Sequence, residues 1–142
     1  MPIDYYIDHG RRLVVARGRG VFTDADAFGY QREVWSRPEV AGYDELVDMT
    51  AVEEIATPVP AGPRIQQLAG VAAAQDPPTS AGKFAIVAPG PLAFGLAREY
   101  KTYRELDART KKQVEVFRSI AEALSFLGIE TLEGPGLPHR SG

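Results

Sequence analysis

The sequence contains no cysteine. That excludes disulfide staples, thiolate nucleophiles and cysteine-ligated zinc, and it fits a reducing compartment, so a cytoplasmic setting is expected. Long apolar runs are missing too. Nothing approaches the ~18 residues of a membrane-spanning helix, and the opening "MPIDYYIDHG" has neither the basic leader nor the apolar stretch of a signal peptide. Nor is there an excess of positive charge. With 16 Lys and Arg against 19 Asp and Glu, the formal charge is -3 and the pI about 5.4, which gives no field for a nucleic-acid backbone. The basic quartet "RGRG", Arg17 to Gly20, lies within a strand pattern and reads as structural. Of two histidines, His9 sits in a turn beside Asp8 and His139 near the end, so no metal-ligand spacing arises and no metal or cofactor is expected.

What is present is periodicity. At 142 residues the chain has the size of one domain, able to bury roughly two-thirds of the surface it exposes when unfolded. Residues 1–132 read as that domain, and "EGPGLPHRSG" over 133–142 reads as a flexible Gly/Pro-rich tail. "IDYYIDHGRRLVVARGRGVFT" holds two β-branched and aromatic runs around a turn at His9-Gly10-Arg11, an antiparallel hairpin. Along its second run, Val14, Ala16, Gly18, Gly20 and Phe22 share one face. Their small size suits close helix packing, although glycines there equally suit a bulge.

Thr23 or Asp24 can cap a helix with Ala27, Phe28, Gln31, Val34 and Trp35 on one side, and Pro38 marks its stop. "ELVDM" reads as a buried strand, followed by a loop, "VEEIATPVPAGPR", and a helix from about Pro63 to Ala74. "KFAIVAPG" reads as a mid-sheet parallel strand, and Pro91 opens a helix whose stripe is Leu92, Leu96, Tyr100 and Tyr103. "QVEVF" is the last strand. The closing helix carries a capping box, Ser119 with Glu122, a stripe of Ile120, Ala123, Leu124 and Leu127, and a stop at Gly128.

The order ββαβαβαβα predicts an α/β fold: a mostly parallel five-stranded sheet with an antiparallel N-terminal edge strand and four helices. Right-handed crossovers, with strands in sequence order, put all four helices on one face. The opposite face then carries Leu13, Val15 and Phe117 beside Arg17, Arg19 and Glu115, a mixture that suits a partner or dimer surface.

Three further features carry less chemistry than they suggest. Glu53 and Glu54 are adjacent on an extended segment and point to opposite sides, so they make no acid and base pair. Asp48 sits inside a buried-type run, where it could be a functional acid, but a carboxylate there more often faces the open side of the sheet and pairs across strands with a cation such as Arg17 or Arg19. "TSAGK", Thr79 to Lys83, has the wrong spacing for a phosphate-binding loop and precedes a strand.

With this order, the chain resembles the STAS superfamily, and in particular its stand-alone SpoIIAA-like members, over about residues 3 to 129. "KFAIVAPGPLAFGLAREYK" looks like the family's strand, short loop and helix, and "KQVEVFRSIAEALSFLGI" like its last strand and capped helix. The resemblance implies a non-enzymatic binding or regulatory module acting on a protein partner or as a homodimer. In phosphorylated members, an Asp-Ser-Ser-Gly-type motif after the third strand carries the acceptor. Here Thr57 takes that place, but Ala56 precedes it and Pro58 and Val59 follow, so the switch is not expected. STAS relatives and SEC14-like proteins that hold nucleotides, lipids or apolar ligands imply an alternative, a small apolar-ligand carrier. The residues for it would be Pro91, Phe94, Tyr100 and Tyr103, beyond the carboxyl end of a central strand. An enzyme is the weaker alternative, because no catalytic motif is present.

Overall fold

A computed structural model describes residues 3–77 and 82–132. The tail expected over 133–142, and most of "TSAGK", lie outside the described residues. The elements run β1 (Ile3–Asp8), β2 (Leu13–Thr23), α1 (Asp24–Trp35), a 3-10 turn (Pro38–Val40), β3 (Asp44–Ala56), α2 (Gly62–Gln75), β4 (Lys83–Val87), α3 (Pro91–Leu106), β5 (Gln113–Phe117) and α4 (Ile120–Leu127). They build one five-stranded sheet in the order β1-β2-β3-β4-β5, with β1 antiparallel to β2 and the other pairs parallel. The α/β expectation holds, with one adjustment. β4 is interior, but the middle position belongs to β3.

Local chemistry accounts for the boundaries. The Thr23 hydroxyl accepts from the Asp26 N–H at 3.1 Å while the Asp26 carboxylate accepts from the Thr23 N–H at 2.8 Å, a complete capping box that starts α1. Ser119 caps α4 by accepting from the Glu122 N–H, but there the Glu122 carboxylate meets the Ser119 hydroxyl, so only half of the expected box forms. Of the two readings of the β2 glycines, the bulge is realised at Gly20, whereas the close approach at Gly18 is made by the neighbouring strand and not by a helix. A Cβ at Gly18 would meet Val52 Cγ2 at 2.9 Å, a close approach, whereas Gly20 has φ 61 at a bulge.

Two expectations are corrected. The loop read from Val52 onward begins instead as strand: β3 runs to Ala56 and pairs with β2 alone, as a two-stranded ribbon past the end of β4. Only Val52, Ile55 and Ala56 of that segment are partly buried while Ala51, Glu53 and Glu54 are exposed, and no third strand pairs with it, so it has the polarity of a loop. The second correction concerns α4. α1, α2 and α3 connect parallel strands and share one face, but α4 follows the last strand, so the crossover rule does not bind it, and it folds back across the opposite face. There Ala123 and Leu127 bury against Leu13, Val15, Leu46, Ala85 and Val87. A leucine so covered contributes about 2 kcal/mol.

The alternation of β-strand side chains therefore serves two cores. The row Tyr5, Ala16, Val47, Ile86, Val116 faces three helices, and the row Tyr6, Val15, Leu46, Ala85, Glu115 faces the side of α4.

Candidate functional site

On the three-helix face the packing is incomplete. A cavity of about 160 Å³ lies between the sheet and α1, α2 and α3. The sheet supplies Val47, Met49, Phe84, Ile86, Phe22 and Ile55; the helices supply Ala27, Phe28 and Tyr30, then Ile65 and Leu68, then Ala93, Leu96, Ala97 and Tyr100. Three of these helical positions are alanines, which approach the sheet without filling the space. Burial shows its direction. Glu45, Phe84, Tyr30 and Tyr100 at one end are buried, while Thr23, Asp24, Met49, Ile55, Thr57, Arg64 and Ile65 at the other are half-exposed, so the cavity opens at the carboxyl ends of β2 and β3. Ligands of open α/β sheets bind at this end.

The closed end rests on a buried polar network. Glu45 is 2% exposed and Lys112 8%, and Lys112 Nζ donates to Glu45 Oε1 at 2.9 Å while lying 3.3 Å above the Trp35 ring. The Tyr30 hydroxyl donates to Glu45 Oε2 at 2.8 Å and accepts from Trp35 Nε1 at 3.1 Å. Beside it Arg104, 1% exposed, donates to the Tyr100 hydroxyl, Asp76 and Thr110 at 2.7, 2.7 and 3.1 Å. Behind lies a second, polar cavity of about 30 Å³, bordered by both ion pairs and separated from the first by Glu45 and Gln31. It is about the size of one water.

Burial dominates the proton affinities here. It pushes Tyr30 well above the ordinary tyrosine value, with Glu45 adding to the effect, and Tyr100 up to about 12. Burial also lowers Lys112, opposed by Glu45, whereas for Arg104 it is outweighed by Tyr100 and Asp76, which leave the guanidinium above its usual value. These charges satisfy one another. The cluster presents a rigid wall, not a free acid or base.

At the open end, Arg64 Nε donates to Asp24 Oδ2 at 2.7 Å and Nη1 to Gln67 at 2.9 Å, and its guanidinium lies 4.4 Å over the Phe28 ring. The pair ties α1 to α2. Thr57 lines this end, and Pro58 and Val59 beyond it are exposed.

Of the residues singled out by sequence, Tyr100 and Thr57 border the cavity; Pro91, Phe94 and Tyr103 do not. Pro91 is exposed at the first turn of α3, Phe94 is covered by Arg118 at 3.9 Å, and Tyr103 packs toward Gly62 at the seam of α2 and α3. The proposed partner residues are also separated. Arg19 pairs with Asp4 at 3.0 Å, Glu115 with Lys101 at 3.2 Å, and Arg17, between Asp4 and Asp48 in register, has a buried Nε with no hydrogen-bond partner. Asp48 accepts from its own neighbour Thr50. His9 Nδ1 meets the Tyr43 hydroxyl at 2.8 Å, and among the described residues no cluster of three His, Asp or Glu groups could hold a metal.

Sequence reasoning missed Glu45, Lys112, Asp76 and Arg104. A heptad or strand pattern treats each as surface, and only their pairing in space, Glu45 with Lys112 across 67 residues, marks them as interior.

No family model matches the sequence, and neither does any curated protein. Among solved structures, the chain is similar to an uncharacterized protein from the DUF3478 family with a SpoIIAA-like fold, from Shewanella loihica PV-4. The likeness has 18% identity and a TM-score of 0.54, and covers 88% of this chain and 93% of that one. A five-stranded mixed sheet with this order and this likeness defines the class: an α/β domain with the SpoIIAA-like fold. No helix of the described residues is long and apolar enough to cross a membrane.

Proposed function

We propose that this domain is a non-enzymatic, cytoplasmic binding module whose cavity takes up a small apolar molecule. The cavity carries the reading. Its lining is almost wholly apolar, so water inside would find few partners, and an apolar cavity of about 150 Å³ in another protein stays dry and takes up benzene. The pockets of drug-sized ligands are larger, roughly 300 Å³ and upward, which limits this one to a small guest. Saturation of the buried charges by each other supports a binding role over a catalytic one. Native mass spectrometry of protein purified without denaturation should show a reproducible bound mass below a few hundred daltons; an apo mass that persists after incubation with hexanol contradicts the reading.

A second reading, contact with a protein partner or a second copy, keeps one supporting observation. Arg17, whose buried Nε has no hydrogen-bond partner, and Val21, 50% exposed, lie on β2 outside the cluster packed under α4. Sedimentation as a monomer at all concentrations counts against the homodimer. Neither reading calls on a phospho-switch: Pro58 and Pro60, which follow Thr57, lack the N–H donors that a phosphate there would use.

A further inference from the structure

The two ends of the cavity differ in how far they can yield, and that difference restricts the guest. Tyr30 is held by both a donated and an accepted hydrogen bond, and Tyr100 by an arginine itself fixed to Asp76 and Thr110. Phe84 packs edge-on to Tyr100 at 6.0 Å and pairs in register with Glu45. A chain reaching further would have to part the buried Glu45–Lys112 pair. Among the described residues that line the open end, Thr57 is the one polar side chain that makes no hydrogen bond. Arg64 is already occupied by Asp24 and Gln67, and the Thr23 hydroxyl by the cap of α1. The Thr57 hydroxyl makes no hydrogen bond to any described residue, and Thr57 lines the cavity.

We propose that the cavity is a length gauge for a molecule with a neutral hydrogen-bonding end at Thr57 and an apolar body of about six or seven carbons, stopped by Phe84 and the fixed tyrosines. This rests on the cavity being the binding site. The size follows from volume, because a six-carbon ring occupies a cavity of about 150 Å³ and this one has about 160 Å³. Neutrality follows from the charges at the opening: a carboxylate would face Asp24, and the guanidinium that lines the cavity, Arg64, is already bound to Asp24. Thr57 thereby becomes a binding residue, in a loop whose sequence lacks the features of a phosphate acceptor.

Isothermal titration calorimetry with straight-chain 1-alkanols from butanol to dodecanol tests the gauge. Affinity should rise about fourfold with each methylene as far as hexanol or heptanol and then stall or fall. Phe84→Leu should move the break one or two carbons further, and Ile86→Val, a milder change if the first variant folds poorly, should move it in the same direction. Thr57→Val should weaken hexanol about fivefold without moving the break, and Thr57→Ser should restore it. An unbroken rise to dodecanol, or a break that neither enlargement moves, overturns the gauge while leaving the cavity as a binding site. Hexanoate binding as tightly as hexanol overturns the neutral end. Absence of saturable heat for every alkanol removes the binding reading itself, and the gauge with it.

Discussion

The two faces of this sheet are built from the same strands and do different work. The face under α4 is closed by one eight-residue helix, and its buried cluster is entirely apolar. The face under α1, α2 and α3 has three helices, yet it holds the cavity, both buried ion pairs and the buried tyrosines. More covering structure does not mean more complete packing. A single amphipathic helix can fit its stripe to a sheet, whereas three helices tied by crossovers are constrained relative to each other, and alanines at their sheet-facing positions leave room. Permanent packing lies on one side and capacity for a guest on the other.

The comparison can be broken most severely at the buried charges. Lys112→Met leaves Glu45 buried and unpaired, and urea denaturation should show a loss of about 3–5 kcal/mol; Glu45→Leu added to it should recover most of that loss. On the opposite face Leu127→Ala should cost about 2–3 kcal/mol, the lower part of the range for a buried leucine, since the end of α4 can relax into the gap.

Alkaline titration sharpens the contrast next. Burial raises Tyr100 to about 12 and Tyr30 well above its ordinary value, so the folded chain keeps protons that the unfolded chain releases above pH 10. Stability is therefore fully present below pH 10 and lost as pH rises, by about 3 kcal/mol between pH 10 and 12 from Tyr100 alone. Lys112 acts in the opposite sense. Its lowered value makes the unfolded chain the stronger proton binder just below pH 10.5, so the net loss should appear above that point. Denaturation midpoints against pH for wild type and Tyr100→Phe check this: the variant should lose stability less steeply, and the Leu127→Ala variant should keep the wild-type slope.

The smallest effect is expected at Thr57. Its hydroxyl supports no described contact, so Thr57→Ala should leave thermal stability within about 0.5 kcal/mol.

How much of this is legible in the sequence depends on what kind of signal each feature leaves. Strand and helix order is periodic and local, and "KFAIV", "QVEVF" and the stripe of Ile120, Ala123, Leu124 and Leu127 place their elements well. The placement of α4 was not local. The crossover rule governs helices between parallel strands and is silent on one that follows the last strand. The extension of β3 was hidden because it pairs on one side only and carries two adjacent exposed glutamates, Glu53 and Glu54, which give it the polarity of a loop. Glu45 stands beside the half-buried Asp44 in "YDELVDM" and Lys112 beside the exposed Lys111 in "TKKQVEVF", and nothing in either string singles out the fully buried charge. The cavity is harder still, since it consists of what alanines omit. Tyr100 was legible from its helical stripe, and Thr57 from its position in the loop, but the stripe's other aromatic, Tyr103, packs at the seam of α2 and α3 because α3 turns only part of that stripe toward the cavity.

The most direct test of the central claim is a methyl-observed NMR titration with 1-hexanol. The account predicts saturable shifts at Ile65, Leu68 and Ile86, which line the cavity, with Leu13, Val15 and Leu127 on the opposite face unmoved. Shifts spread equally over both faces, or none that saturate at the cavity methyls, would contradict it.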